Sequence, residues 1–399
     1  MSSLYFDNSA TTRIKPEVLE AMMPYLKLEY GNPSSMYTIG RSAKRAIENA
    51  RINVANLINA NPNEIYFTSC GSESDNTALK GIAYKNREKG NHIIISKIEH
   101  PAILNSCKAL EREGFEITYL NVDEEGFVDL NQLETSIKNN TILISIMFAN
   151  NEIGTIEPIK SISKIAHNKG IIFHTDAVQA CGNIPIDVKE LEIDMLSLSG
   201  HKIYGPKGIG ALYVKNGIEF ESLINGGHQE KGKRAGTENV AEIVGLGKAS
   251  VIAKQGLNTH IRYLSMLRDY YVSEIERRIP NIVINGPRNK WGLDNSLIAK
   301  NKTLNQNYLQ RLPGNANFSF LDIEGNTLLL KLDQMGISAS SASACSSGNP
   351  EPSHVLTAIG REEATAKSAL RITFGEDNTI DDVNYLINCI EKIILETNK

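Results

Sequence analysis

The sequence predicts an α/β protein with a mostly parallel, seven-stranded sheet and a smaller second lobe. Seven short apolar runs punctuate its first two-thirds: Ile65–Thr68, His92–Ser96, Glu116–Leu120, Thr141–Met147, 171–174, 193–198 and Ala211–Val214. Several lack polar alternation, as expected for strands covered on both faces. Helical patterns lie between them, for example over 41–58, 74–89, 101–113 and 159–169. Repeated β-α units of this kind build parallel sheets with right-handed crossovers. A long helical stretch from about Glu238 to Arg278 then carries the chain to the second lobe, which uses residues from about 280 onward. Within that lobe, 288–312 reads as an exposed insertion containing the single tryptophan, Trp291. Its sequence fits either a solvated excursion or a partner-docking loop.

Composition narrows the functional classes. With 41% hydrophobic and 22% charged residues, the 399-residue chain is ordinary for a globular protein. A net charge of -4 gives no case for a nucleic-acid or anionic-membrane partner. No run of about eighteen apolar residues marks a membrane span. Residues 1–7 lack the basic region and apolar core of a secretory signal. The five cysteines (70, 107, 181, 345 and 389) are scattered, with no Cys-x-x-Cys pair. That pattern points to a reducing compartment, the cytoplasm, and away from a structural zinc site.

Two strand ends carry the chemistry. The run 193–198 leads into Ser199-Gly200-His201-Lys202, and the run 171–174 delivers Asp176. In parallel sheets, ligands bind outside the carboxyl ends of the strands, so both residues can face one cavity. A lysine amine forms a Schiff base only when neutral, and a partly desolvated site favours that form. Pyridoxal phosphate (PLP) enzymes need this pairing: a lysine for the aldehyde and a carboxylate to keep the pyridine nitrogen protonated.

Other residues are compatible with such a site but individually ambiguous. Cys70 to Asn76 follows a strand and opens a helix, suiting either a phosphate or an ordinary helix cap. His100, just after the strand at 92–96, can stack on a flat ring, shuttle protons or simply occupy a turn. Asn150-Asn151-Glu152 can bond a ligand or serve a turn, and Gln179 lies three residues past Asp176. Cys345 sits in a run of small residues from Ser338 to Gly348, as a reactive thiol or an inert one. Arg371 is a lone cation in an apolar run, so it needs an anion: a substrate carboxylate or a structural partner.

Taken together, these stretches resemble the NifS/IscS-like cysteine desulfurases of the class V aminotransferase group, which are fold-type I PLP enzymes. The likeness runs over nearly the whole chain. It includes Asp7-Asn8-Ser9-Ala10-Thr11-Thr12, Gly31-Asn32-Pro33-Ser34-Ser35, Phe67 through Asn76, Glu99-His100-Pro101 and Asn150-Asn151-Glu152. It continues through His174 to Gln179, Ser199 to Lys202, Gly226 to Glu230, Arg234 to Asn239, Ser343-Ala344-Cys345 and Glu351 to His354. The resemblance implies a large PLP-binding domain over 15–258. A smaller α+β domain, formed by 1–14 and 259–399, would carry the cysteine loop.

It also implies roles. Lys202 would hold PLP, Asp176 would pair with its ring nitrogen, His100 would stack on the ring and Gln179 would bond the ring oxygen. Gly71, Ser72, Ser199 and His201 would hold the phosphate, joined by Thr237 from the neighbouring subunit of a homodimer. Asn151 and Arg371 would orient L-cysteine, with Arg371 on its carboxylate. Lys202 would move the substrate α-proton, and Cys345 would take the sulfur as a persulfide, releasing L-alanine. The sulfur would pass to an acceptor protein such as an iron–sulfur scaffold. Two departures from the family pattern stand out: Ala342 replaces a usual glycine and Ser72 a usual threonine. The stretch 288–312 is also longer than the pattern. Two rival readings are an aminotransferase or β-lyase of the same fold and a non-catalytic sulfur-transfer scaffold. Cys345 weighs against the first, and the retained Lys202, Asp176 and His100 weigh against the second.

Overall fold

The structure, a computed structural model, describes residues 4–288, 310–341 and 351–397. Cys345, Ala342 and Trp291 lie outside the described residues. The strands are β1 (Leu4–Tyr5), β2 (Ile65–Thr68), β3 (His92–Ser96), β4 (Glu116–Leu120), β5 (Thr141–Ser145), β6 (Ile172–Asp176), β7 (Met195–Ser199) and β8 (Gly210–Val214). In the second lobe they are β9 (Ile282–Ile284), β10 (Asn315–Phe320), β11 (Ile337–Ser338), β12 (Ser340–Ser341) and β13 (Ala369–Thr373). The main sheet has seven strands in the order β2-β8-β7-β6-β5-β3-β4. Its pairings from β4 across to β7 are parallel, while β8 runs antiparallel to both β7 and β2. The expected mostly parallel sheet is therefore observed, with the antiparallel strands at one edge.

Burial on both faces explains why these strands read as apolar runs. Ile93, Ile94 and Ile95 of β3 are all fully buried, and burying each such side chain is worth about 1.5–3 kcal/mol. Strand β5 ends at Ser145, short of the Met147 expected from hydropathy. Beyond it, the Ile146 and Phe148 N–H groups still donate to the His174 and Asp176 carbonyls (3.2 and 2.8 Å). The chain thus continues alongside β6 without completing a ladder.

Helices α1 (Pro16–Lys27) and α2 (Thr38–Leu57) precede the main sheet, and two more helices begin where strands deliver them to its carboxyl end. Helix α3 (Gly71–Lys85) starts three residues after β2, with Cys70 as its extended N-cap residue. Helix α4 (Pro101–Arg112) starts with proline at its first position, where no N–H is needed. Its N-cap is His100, whose Nδ1 accepts the Ala102 N–H at 3.1 Å.

The 39-residue helix Val240–Arg278 spans two hydrophobic cores. Its first half contributes Ile243, Leu246 and Ala249 to the core of the main sheet. Its second half gives Leu264, Leu267, Tyr271 and Ile275 to a second core, which also contains Phe6. Glycine is required at two points of close approach: a Cβ on Gly245 would lie 2.7 Å from Met22 Sδ, and one on Gly247 2.6 Å from the Ala50 Cα. The second core packs against the antiparallel sheet β12-β13-β10-β9. Strand β1 pairs with β11, and Asp7 bridges to Thr373, so the first residues belong structurally with the last.

One expectation needs correcting. The stretch 288–312 does not end as an exposed excursion: Arg311 and Leu312 are buried, and Arg311 donates to the carbonyls of Asn315 (3.0 Å) and Pro287 (3.2 Å). Paired donors let a guanidinium enter a core that hydropathy alone would deny it.

A buried ion pair fixes the loop that follows β8. The Arg51 guanidinium grips both carboxylate oxygens of Glu230 (2.7 and 2.8 Å), and Glu230 also accepts the Phe67 N–H of β2 at 2.9 Å. Both side chains are buried. Removing one partner strands the other charge, at a cost of about 3–5 kcal/mol. Arg51→Leu is therefore expected to lower the denaturant midpoint sharply, and Arg51→Leu with Glu230→Leu to recover much of the loss. Equal midpoints for the single and double variants would refute this.

Candidate active site

A cavity of about 310 Å³ opens at the carboxyl ends of β6 and β7, beneath the head of α3 and beside β13. Its wall includes Gly71, Ser72, His100, Asn151, Asp176, Gln179, Ser199, His201, Lys202 and Arg371. Ten of the twelve residues singled out in the sequence thus line one space. The eleventh, Thr237, is exposed and does not line this chain's cavity. The twelfth, Cys345, lies outside the described residues.

The lysine turn is held by the first residues of the chain. After β7, Gly200–Lys202 forms one 3-10 turn. Thr12 N–H and its hydroxyl both donate to the His201 carbonyl at 2.9 Å, and Thr12 Oγ1 accepts the Tyr204 N–H at 2.8 Å. Lys202 Nζ donates to the carbonyls of Ser9 and Ala10. Gln179 Nε2 donates to the same Ser9 carbonyl at 3.0 Å, leaving its second N–H for a ligand.

At the acidic end, Asp176 is 5% exposed and its Oδ1 accepts the Val178 N–H at 2.9 Å. Burial raises its pKa, while His100, that N–H and Lys202 pull the other way. His100 is itself held below its ordinary pKa by burial. Since its Nδ1 accepts the Ala102 N–H, the neutral ring carries its proton on Nε2.

The opposite end suits an anion. The first N–H groups of α3 have no intrahelical acceptor and face the cavity at Gly71 and Ser72. A Cβ on Gly71 would lie 2.6 Å from Val178 Cγ2, so a side chain there would crowd the wall. Burial pushes the His201 imidazole down to about 4, and its Nδ1 contacts Thr11 Oγ1 at 3.1 Å.

Three buried polar atoms on this wall have no hydrogen-bond partner among the described residues: Ser199 Oγ, Asp75 Oδ1 and Arg371 Nε. Unsatisfied buried groups are costly, and these are spread around one cavity. The chemistry of the wall fits a polar, anionic ligand: the Ser199 hydroxyl and helix N–H groups for a phosphate, the Asp176 carboxylate for a ring nitrogen and the Arg371 guanidinium for a substrate carboxylate. The residues present thus fit PLP.

Arg371 has a structural partner. It is 2% exposed, its Nη2 donates to Asp7 Oδ1 at 2.8 Å and its Nη1 to the Asn151 carbonyl at 3.0 Å. A structural ion pair and a remaining free donor coexist in one side chain. The neighbouring Asn150 is a turn residue: its Oδ1 accepts the Glu152 and Ile153 N–H groups.

Sequence reasoning missed four contributors. Asp75 lies one helical turn past Gly71, and that i+4 spacing was the available signal. Asp7 and the Ser9 and Ala10 carbonyls act through long-range contacts that no local pattern encodes. Carboxyl and imidazole atoms of Asp75, His100 and Asp176 lie within 4.8 Å of one another.

Two measurements follow. Ser199→Ala removes one donor for a charged ligand, worth about 1.5–3 kcal/mol. PLP affinity measured by titrating apoprotein should fall roughly 10- to 100-fold; unchanged affinity would remove Ser199 from the phosphate end. The second concerns Glu99, fully buried, with Oε1 accepting from Ser96 Oγ (2.6 Å) and the Met147 N–H (2.9 Å). Burial pushes its carboxyl up to about 8. Because the folded pKa exceeds the unfolded one, its contribution is full below about pH 4.5 and is lost as pH rises through about 8. Glu99→Gln should flatten the fall in unfolding free energy across that window. An unchanged slope would mean Glu99 is ionised in the folded protein.

Residues 4–301 match the family model described as Aminotransferase class-V. The chain is 52% identical to "Cysteine desulfurase IscS" of Clostridium botulinum, over 98% of this chain and 94% of the relative. Among solved structures, a "NIFS-LIKE PROTEIN" superposes with TM-score 0.88 at 37% identity, covering 99% of this chain and 100% of that one. "SspA in complex with cysteine" superposes with TM-score 0.79 at 38% identity, covering 93% and 99%. The sheet, the lysine and aspartate at its carboxyl end and these full-length similarities agree: the chain belongs to the class-V aminotransferase family and, within it, to the PLP-dependent cysteine desulfurases.

Proposed function

We propose that the residues around this cavity desulfurate L-cysteine with Cys345 as the sulfur acceptor. The observation that carries the reading is the convergence of Lys202, Asp176, His100 and Arg371 on one cavity with unsatisfied polar atoms at its edges. Bound there, PLP supplies the electron sink that lets the substrate Cα release its proton and the Cβ–S bond break. Lys202 would hold the cofactor through its aldehyde and, as a free amine, would move the α-proton. The Ser9 and Ala10 carbonyls orient its amine. Asp176 would keep the ring nitrogen protonated, His100 would pack against the ring and Gln179 would bond the ring oxygen with its remaining N–H. Gly71, Ser72, Ser199 and His201 hold the phosphate. Asn151 and Arg371 orient the substrate, Arg371 through its unclaimed Nε.

In this reading the Cys345 thiolate attacks the substrate sulfur. One S–S bond forms, the Cβ–S bond breaks and the carbon fragment takes up protons to leave as L-alanine. The persulfide then passes its outer sulfur to an acceptor protein such as an iron–sulfur scaffold.

Two observations support a homodimer. Thr237 is exposed and absent from this chain's own cavity, as expected of a residue lent to a neighbouring subunit's phosphate. The segment around the start of the helix Thr38–Leu57 also exposes apolar side chains: Leu28 is 74% exposed, Tyr30 81% and Met36 88%. On the same reading the domain boundary falls near residue 258, where the long helix passes between the two cores, and the protein works in the cytoplasm. Among the described residues no helix is long and apolar enough to cross a membrane.

The deciding experiment measures alanine and sulfide released from L-cysteine with a thiol reductant, for wild type and Cys345→Ala. The variant should keep its PLP absorbance and lose nearly all turnover. If it works as well as wild type, the persulfide step at Cys345 is wrong and a β-lyase or aminotransferase takes its place. Sedimentation should give a dimer, and Met36→Glu should shift it toward monomer; an unchanged dimer would place the interface elsewhere.

A further inference from the structure

The reading above assigns no role to Asp75, although it lines the cavity and is 1% exposed. It projects from the first turns of α3 toward the end of β6. There it meets Asp176, with one ligating atom of each and of His100 all within 4.8 Å of one another. Its Oδ1 has no hydrogen-bond partner among the described residues. Ser197 on β7 is its neighbour. The Ser197 hydroxyl lies 3.0 Å from His174 Nε2, and His174 Nδ1 lies 2.8 Å from the Ser145 hydroxyl on β5. Residues 174 and 176 alternate with 175 along β6, so both point to the same face of the sheet.

The charges facing Asp75 are set by these elements. From β6 come Asp176 and His174, from the segment after β3 Glu99 and His100, and from its own helix head Cys70. His174 is the basic side chain within 4 Å, its Nε2 3.9 Å from Asp75 Oδ1, and it is fully buried. Burial pushes that imidazole down to about 3, so it offers no positive charge. Two buried carboxylates this close, with no cation between them among the described residues, cannot both ionise. Asp176 has groups that favour its anion: His100, the Val178 N–H and Lys202. Asp75 has one, Ser197, set against burial and the neighbouring Asp176 and Glu99.

We propose that Asp75 is a positioning residue for the reaction: it stands beside Asp176 as a neutral carboxylic acid and keeps the single negative charge of the pair on Asp176. This rests on the reading of Asp176 as the partner of the PLP ring nitrogen. A carboxylate at 75 would place a second negative charge beside the first.

Three variants of the holoenzyme test this. In the infrared, a protonated carboxyl shows a C=O stretch that a carboxylate lacks. At about pH 7 the wild type should show a band that is missing from Asp75→Asn. The subtraction is needed because Glu99, Glu152 and Glu157 are also buried acids with raised pKa values. Protonation of the ring nitrogen is read from 15N-labelled PLP, and affinity from titration of apoprotein. Asp75→Ala removes the acid's dipole, so ring protonation should fall by about one pKa unit and PLP affinity by about tenfold. Asp75→Asn, a neutral donor of the same shape, should rescue most of both losses. A purely structural residue would alter stability without moving the ring-nitrogen resonance.

No band lost in Asp75→Asn overturns the proposal, as does an Asn variant as impaired as the Ala variant or an Ala variant with normal ring protonation. If Asp75→Ala does not fold, the Asn infrared difference decides alone. Asp176→Asn separates the two layers. If it leaves the ring protonated, the reading of Asp176 falls and this proposal with it. If it abolishes ring protonation while the Asp75 results fail, the proposal alone falls.

Discussion

A carboxylate is buried at the end of β6, and the site is arranged around the problem this creates. Charge in a low-dielectric interior is costly unless something opposes it. At Asp176 the opposition is assembled from separate elements: the Val178 N–H just beyond the strand, the His100 ring that caps α4 and the lysine after β7. Each arrives because a strand of the parallel sheet ends at the same edge, with its helix or turn starting there. The topology thus fixes which groups can reach the carboxylate, and side-chain chemistry sets how strongly each one stabilises it. What remains unbalanced within the chain is the demand that a protonated ring nitrogen would meet.

The first dozen residues hold the two halves of the molecule in one register. Phe6 is buried in the second core, Asp7 bonds Arg371 on β13, and Ser9 and Ala10 hold the Lys202 amine. Thr11 and Thr12 then fasten to the lysine turn through His201 and Tyr204. A short segment therefore connects Lys202 with Arg371. Backbone carbonyls suit this task, since they orient an ammonium without fixing a counter-charge beside it. A carboxylate in the same place would favour the charged amine, the form that cannot react with an aldehyde.

Much of this was legible in the sequence because burial on both faces leaves a plain signature. The seven apolar runs became the seven strands, several with the same bounds. Lys202 and Asp176 stood out because each polar residue follows such a run. The second sheet was harder to see for a physical reason. Strand β10 reads Asn-Ala-Asn-Phe-Ser-Phe and is buried throughout. Its polar positions are acceptable only because Asn315 and Asn317 donate to the Glu152 carbonyl and Ser319 bonds Asn285. Those partners are distant in sequence. Asp75 was hidden similarly: an acid near a helix start is usually an exposed, dipole-favoured residue. Only tertiary packing turns it inward. Arg311 gave no sign of burial for the same reason.

Arg371 shows how a buried cation can be paired and still keep one donor unclaimed. A buried guanidinium with no partner would be too costly to keep, so the resting site needs Asp7 and the Asn151 carbonyl to claim its Nη atoms. If they claimed every donor, nothing would remain to recognise a substrate carboxylate. The observed geometry leaves Nε unsatisfied while the charge is already opposed. On the proposed reading, a substrate carboxylate would meet an oriented donor there, and the guanidinium would not have to reorganise first. Because Asp7 balances much of the positive charge, the gain on binding would come from the directed hydrogen bond more than from net charge. Such a site would favour a carboxylate held at one angle over any anion that enters, and a fixed angle is what a substrate sulfur needs if it is to be aimed at an attacking thiolate.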